Sequence, residues 1–363
     1  MRVLMVITDL RVGGAEAMAL ELVRAAGGSG VHFTVAPVKG AEALRAAFVA
    51  AGAEVADPIA HFRFDPLGLV RMVRVIRRAS PDVLLLAGVA RDAMFYGLIG
   101  SALARRPRRR VLWCHSMPGG QAGRFVGRVR AFRRMGLIDR VICVSRRQQE
   151  AMLAYGLPGG CAEVVTNGVD IESIAAARPT PLPAWSGKKV VLQVANVMPD
   201  KDPGTLIRAA GVLARRRDDF RVVLVGSGTD SPEMARTAEA AGAGGVVSLL
   251  GSRQDVPGLL KAADAFVLST RSEVFSVALL EAFAAGLPAV VSDLPAFDEM
   301  LADGQEGLRF PAGDAEALAG RLERLLDDAD LRRTLGARAA GRARQFTRQR
   351  MAEGVLAALG ARA

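Results

Sequence analysis

The chain has 363 residues, 51% of them apolar, and a formal net charge of +11. That length exceeds one ordinary core and suits two domains of roughly 150 to 200 residues each. Three cysteines with no CxxC spacing and only three histidines argue against a disulfide framework, a zinc site or a His-rich metal centre, and no apolar run approaches the ~20 residues that cross a bilayer.

The chain opens with "RVLMVIT", a short β-branched run, within a start that lacks the pattern of a secretory leader and reads as cytoplasmic. "LRVGGAEAMALELVRAA" follows, a glycine turn and then helical spacing. "VHFTVAPV" predicts a strand, "PLGLVRMVRVIRRA" a helix, and "PDVLLLAG" the next strand. Further strands are predicted at 109–116, 140–145 and 162–169. The stretch "ARPTPLPAWSGKK", 177–189, reads as a linker because three prolines are followed by Ser, Gly and two lysines. The alternation then restarts with "VVLQVANV", "PGTLIRAAGVLARR", "FRVVLVGSG", "GVVSLLGSR", "VPGLLKAA" and "DAFVLST", and the end of the chain is helical. Such alternation predicts an α/β fold with two doubly wound Rossmann-like domains facing a cleft. The expected units are residues 1–176, residues 177–345, and a C-terminal helix at 346–363 packing back toward the first domain.

In open α/β sheets ligands bind where strands end and helices begin. "RSEVFSVALLEAFAAGLPAVVSD", 271–293, has Glu273 before a helical run and Glu281 within it. Ser276 is a natural N-cap, so the first-turn amides would present an anion site. Phosphates at the helix start, with sugar diols on the two acids, would use both carboxylates. By themselves the acids are equally compatible with a loop Glu and a helix-surface Glu. Lys201 follows one strand and precedes a helix at Pro203, where it could neutralise a diphosphate or stand as a solvated lysine. Gly13 and Gly14 form a turn through which backbone amides can approach a phosphate, although the pattern is not GxGxxG. His115 ends a strand before a glycine–proline turn and could meet a hydroxyl, although a lone histidine is more often structural.

Taken in order over most of the chain, "GGAE" at 13–16, His115, "VICVS", "NGVD" at 167–170, Lys201 in "MPDKD", "VGSG", "LLGSRQDVPGLLKAADAFVLST" and the Glu-x7-Glu of 273–281 resemble the family 4 retaining glycosyltransferases of GT-B fold. The resemblance implies that Glu273 contacts the donor hexose and Glu281 the ribose. It implies that the amides of Phe275, Ser276 and Val277 hold the diphosphate, with Lys201 and the Gly14 amide in support. The base would lie near Gly251, Ser252, Arg253 and Asp255, and His115 near the sugar and acceptor. No cofactor or metal is implied, and the Asp-x-Asp within "DDAD" at 327–330 sits at a helix end. A UDP-linked donor is expected ahead of a GDP-linked one. Two departures stand out. Asn196 occupies the place where the family often has arginine, which would shift diphosphate charge to Lys201 and Arg253. Val274 replaces the usual glycine and restricts its loop.

The implied activity is transfer of a hexosyl group from a nucleotide sugar to an acceptor hydroxyl on a glycan, a lipid-linked molecule or a small molecule. Alternatives are a nucleotide-sugar epimerase of similar fold and a non-catalytic nucleotide- or polyanion-binding module. The basic helix "GRFVGRVRAFRRMG", 123–136, repeats Phe125, Val129 and Phe132 among arginines. It could rest peripherally on an anionic membrane, or pack its stripe inward with a solvated basic face. No nucleic-acid partner is expected, and oligomeric state is not readable.

Overall fold

A computed structural model describes residues 1–62, 65–117, 121–182, 185 and 187–361. Seven short strands form the first sheet: β1 (Arg2–Ile7), β2 (His32–Pro37), β3 (Glu54–Val55), β4 (Val83–Ala87), β5 (Arg109–Cys114), β6 (Arg140–Cys143) and β7 (Ala162–Val164). They lie parallel in the order β3-β2-β1-β4-β5-β6-β7. Six more form the second sheet: β8 (Lys189–Val194), β9 (Phe220–Val225), β10 (Val247–Leu249), β11 (Ala265–Leu268), β12 (Ala289–Ser292) and β13 (Gly307–Phe310). These too are parallel, in the order β10-β9-β8-β11-β12-β13. Central strands such as β4 are buried along their whole length, as expected where helices cover both faces of a parallel sheet. That burial explains why they read as unbroken apolar runs. The two-residue β3 is too short to announce itself in the sequence.

Each sheet reverses its strand order once, between β1 and β4 and between β8 and β11. The loops beyond the carboxyl ends of those strands therefore flank the positions where doubly wound sheets take ligands. Helices begin at those loops on side-chain caps. Asp202 caps α8 (Pro203–Ala214) through Thr205 N, and Ser276 caps α11 (Val277–Ala284) through Leu279 N.

The chain divides into two units, Met1–Gly168 with Arg348–Ala363, and Val169–Thr347. The first boundary falls earlier than the proline-rich stretch suggests. Val169 N donates to Phe346 O at 3.0 Å, and Val169 bridges Thr347. The following helix, α7 (Ile171–Ala176), packs against α10 (Val256–Ala262) and α11. The stretch itself is anchored rather than loose: Thr180 N donates to Gly258 O at 2.9 Å, and Thr180 Oγ1 donates to Asp255 Oδ2 at 3.0 Å. Pro183, Ala184 and Ser186 of that segment lie outside the described residues. The last helix, α14 (Arg348–Leu359), packs on α1 (Gly14–Ala25) of the first unit, where Arg348 Nη1 donates to Glu21 Oε2 at 3.0 Å.

The basic helix α5 (Ala122–Arg134) directs Phe125, Val126 and Val129 into the core of the first unit, with Phe132 packed against its margin. Its apolar stripe is thus spent on folding, and Arg124 and Arg134 remain exposed. Among the described residues no helix is long and apolar enough to cross a membrane.

Candidate active site

In the second unit, Lys201 ends the loop after β8 and Glu273 lies in the loop after β11. Lys201 Nζ donates to Glu273 Oε2 at 2.7 Å, with side-chain exposures of 24% and 13%. The other carboxylate oxygen, Oε1, accepts from Val274 N at 3.1 Å. Both oxygens are therefore directed, and the half-buried pair is screened less than a surface pair would be. The amide contact uses the backbone of Val274, so the valine side chain does not prevent it.

Two residues on, Phe275 turns inward, 4% exposed, with its ring 5.5 Å from that of Phe346. This buried anchor fixes the chain just ahead of α11. Ser276 then caps the helix by accepting from Leu279 N at 3.3 Å, a contact worth about 1 kcal/mol. First-turn amides have no acceptor within the helix and give its start a partial positive charge. Val277 opens this turn. Glu281, half-buried, lies one turn deeper on the same helix. Lys201, Glu273, Phe275, Ser276, Val277 and Glu281 thus belong to one pair of loops and one helix.

Asn196 does not carry charge but holds a neighbouring loop: its Oδ1 accepts from Ser227 N at 2.9 Å. That loop comes close because Gly226, at φ 142°, leaves no room for a Cβ beside Ala195 O. Arg253 is paired within its own loop. Its Nε and Nη2 donate to Asp255 Oδ1 and Oδ2, both at 2.8 Å. This fork, helped by Thr180 Oγ1, holds the Asp255 carboxyl down at about 2. Arg253 thus faces an acidic partner, Asp255, as Lys201 faces Glu273.

In the first unit, α1 starts at Gly14 with Gly13 extended before it and no side-chain cap. Glu16 lies in that first turn, and burial raises its carboxyl, opposed by a bond to its own amide. His115 follows β5, its ring centroid 4.2 Å from that of Trp113. The residue is half-buried, but both ring nitrogens are covered and have no well-formed hydrogen bond. Burial lowers its pKa to about 3, against a smaller opposing effect from Asn167. The imidazole is consequently neutral at physiological pH. The glycine–proline turn expected after it falls on 118–120, outside the described residues.

Some residues of the site were not singled out in the sequence. Buried Ser269 and Thr270, together with Arg271 and Asp202, join the Lys201 loop to the Glu273 loop. Polar residues directly after the apolar run of β11 were the available signal.

A model described as glycosyl transferases group 1 matches residues 180–342, and one described as glycosyltransferase family 4 matches residues 12–173. The chain belongs to the family 4 glycosyltransferases. Among its family 4 relatives, a phosphatidyl-myo-inositol mannosyltransferase of Mycolicibacterium smegmatis is 31% identical over 55% of this chain and 50% of the relative. A D-inositol 3-phosphate glycosyltransferase of Corynebacterium aurimucosum is 32% identical over 52% of this chain and 47% of the relative. The chain spans about half the length of the curated relatives it matches. Anabaena HepE, solved in complex with UDP-glucose, superposes with a TM-score of 0.84 at 21% identity, covering 99% of this chain and 100% of HepE. WaaG, a lipopolysaccharide glycosyltransferase, gives 0.74 at 15% identity, covering 99% of each chain. At these identities the likeness establishes the fold, which is GT-B, with two Rossmann-like domains.

Proposed function

We propose that this protein is a retaining glycosyltransferase that moves a hexosyl group from a nucleotide sugar to an acceptor hydroxyl. The carrying observation is the 2.7 Å pair of Lys201 with Glu273 on the two loops that flank the strand-order reversal of the second sheet. As the sugar departs, negative charge grows on the diphosphate and positive charge on the ring. Lys201 and the first-turn amides of α11, at Ser276 and Val277 and beside Phe275, supply donors for the former. Such preorganised stabilisation is worth several kcal/mol. Glu273 accepts hydroxyls of the hexose and Glu281 those of the ribose. The Gly14 amide, at the start of α1, is a further candidate donor to a phosphate, and Asn196 shapes the loop beside Lys201.

A histidine with a pKa near 3 is a weak base at neutral pH. His115 accordingly serves the sugar or acceptor as a neutral hydrogen-bonding group, and the leaving phosphate oxygen is the better proton acceptor. That assignment agrees with a retaining course in which no protein nucleophile attacks. A UDP-linked donor is preferred to a GDP-linked one, and HepE, solved with UDP-glucose, supports that choice. No bound metal or cofactor is required. We read the enzyme as cytoplasmic. Any peripheral contact with an anionic membrane would be electrostatic, through exposed Arg124 and Arg134.

The test is acceptor-dependent release of nucleoside diphosphate across a panel of UDP- and GDP-sugars, with thermal shift to identify the donor. A donor that binds only the folded state raises the apparent melting temperature. A protein that neither binds nor cleaves any member of the panel would contradict the proposal.

A further inference from the structure

Lys201 sits in a segment whose backbone would not hold its shape unaided. Asp202 has φ 40° and ψ 55°, a left-handed conformation that L residues seldom adopt. Three consecutive residues at the end of β11 meet this segment. Ser269 Oγ donates to Asp202 O at 2.9 Å. Thr270 Oγ1 reaches Asp200 O at 2.6 Å, and Arg271 N donates to the same carbonyl at 2.7 Å. Arg271 Nε donates to Asp202 Oδ2 at 2.7 Å. The Asp202 carboxylate also accepts from Thr205 N and Thr205 Oγ1, so one side chain caps α8 and receives the arginine. Ser269 and Thr270 are fully buried, and Gln193 Nε2 donates to Ser269 Oγ at 3.3 Å, which fixes that hydroxyl.

The residues on both sides of Lys201 are therefore tied to the strand end that leads, three residues after Thr270, to Glu273. Thr270 Oγ1 lies 2.7 Å from Ser272 O as well. A hydroxyl has one proton and can serve only one carbonyl at a time. The Thr270 proton thus couples the Lys201 segment to the Glu273 segment.

We propose that Ser269, Thr270 and Arg271 are positioning residues that set the Lys201 ammonium relative to Glu273, so that charge is placed for the leaving diphosphate before the donor arrives. They act through Lys201 and touch no reacting atom. The inference rests on the transfer reading of this site, and its test is arranged so that the two can fail separately.

Thr270→Val keeps the shape and removes the hydroxyl, Thr270→Ser restores it, and Arg271→Gln cuts the arginine tie at an exposed position. Thr237→Val is the control, since its hydroxyl donates to Glu233 O within α9 (Pro232–Ala240), away from the Lys201 segment. Because misplacement by about 1 Å can cost ~100-fold in rate, Thr270→Val should lower kcat at least about tenfold. Its KM for donor should stay within about threefold, since a transition-state interaction is what is lost. Thr270→Ser should recover most of the rate, Arg271→Gln should show a smaller fall in kcat, and Thr237→Val should match wild type.

A second readout needs no activity. The chain has five lysines. Reductive methylation with isotope-labelled formaldehyde gives each a resolvable NMR signal, and Lys201→Arg assigns that of Lys201. Its position should move in Thr270→Val and in Arg271→Gln, as it should in Glu273→Gln. If both variants fold and leave the Lys201 signal at its wild-type place, the positioning role is wrong, whatever the enzyme transfers. Should wild type ignore every sugar nucleotide, the transfer reading falls and the lysine signal alone decides the positioning role. If Thr270→Val does not fold, Arg271→Gln decides by the same signal.

Discussion

Helices α1 and α11 both begin at the ligand end of a strand-order reversal, yet their first turns differ. The first turn of α11 contains no acid, its cap is a neutral serine, and a neighbouring loop brings Lys201 to Glu273 just ahead of it. The first turn of α1 has no side-chain cap and carries Glu16, whose carboxyl is raised by burial and bonds back to its own amide. The two helix starts offer the same kind of dipole. At α1 the protein supplies an acidic side chain of its own, whereas the first turn of α11 contains none. A first turn without an acid of its own leaves the helix start more open to an outside anion. For the transfer reading proposed above, the contrast favours α11 over α1 as the place of the diphosphate.

The strongest way to break this contrast is Lys201→Ala. Acceptor-dependent diphosphate release should fall by about 100-fold or more, the range seen when one electrostatic donor to a developing charge is removed, while far-UV circular dichroism is unchanged. A loss under about threefold would mean that Lys201 does not carry the leaving-group charge. Glu273→Gln should come next, with kcat/KM down about tenfold or more, because sugar contacts that strengthen toward the transition state are weakened.

His115 gives a prediction in stability. Its folded pKa lies near 3, below the ordinary 6.5. The unfolded chain therefore takes up its proton first, and stability is lost as pH falls from about 6.5 toward 3, with no contribution above that window. At about pH 5 the loss is on the order of 2 kcal/mol. Denaturant titrations at pH 7 and pH 5 should show His115→Gln narrowing the difference between them, and an unchanged difference would refute the burial. Ser276→Ala should cost about 1 kcal/mol in the same assay through the lost cap. The smallest effect sharpens the comparison from the other side. Removing the acid from α1 by Glu16→Gln should lower donor KM by about two- to threefold, as expected for one charge at a helix start. A rise in KM would show Glu16 to be a donor ligand instead.

Much of the site was legible because chemistry-bearing residues sit where one periodicity stops and another begins. Lys201 lies between the apolar run of β8 and Pro203, and Ser276 lies between the Glu273 loop and the helix it caps. The alternating fold was readable for the same reason, with strand runs buried on both faces. Contacts distant in sequence were not legible. Nothing local says that Asp202 receives Arg271. The anchoring of Thr180 on Gly258 and Asp255 was likewise hidden behind the prolines around it. The stripe of α5 was visible as a pattern, but a pattern does not state which apolar surface it will meet, and here that surface is the core.

Because α14 returns to the first unit, no single cut separates this protein into its two halves. A fragment ending at Gly168 would bare the flank of α1 and the backbone of Ala358 would no longer receive Arg109. The matching C-terminal fragment would carry an orphaned amphipathic tail. Dissection of the second unit is better served by a piece bounded at Val169 and Thr347, whose own backbones already meet.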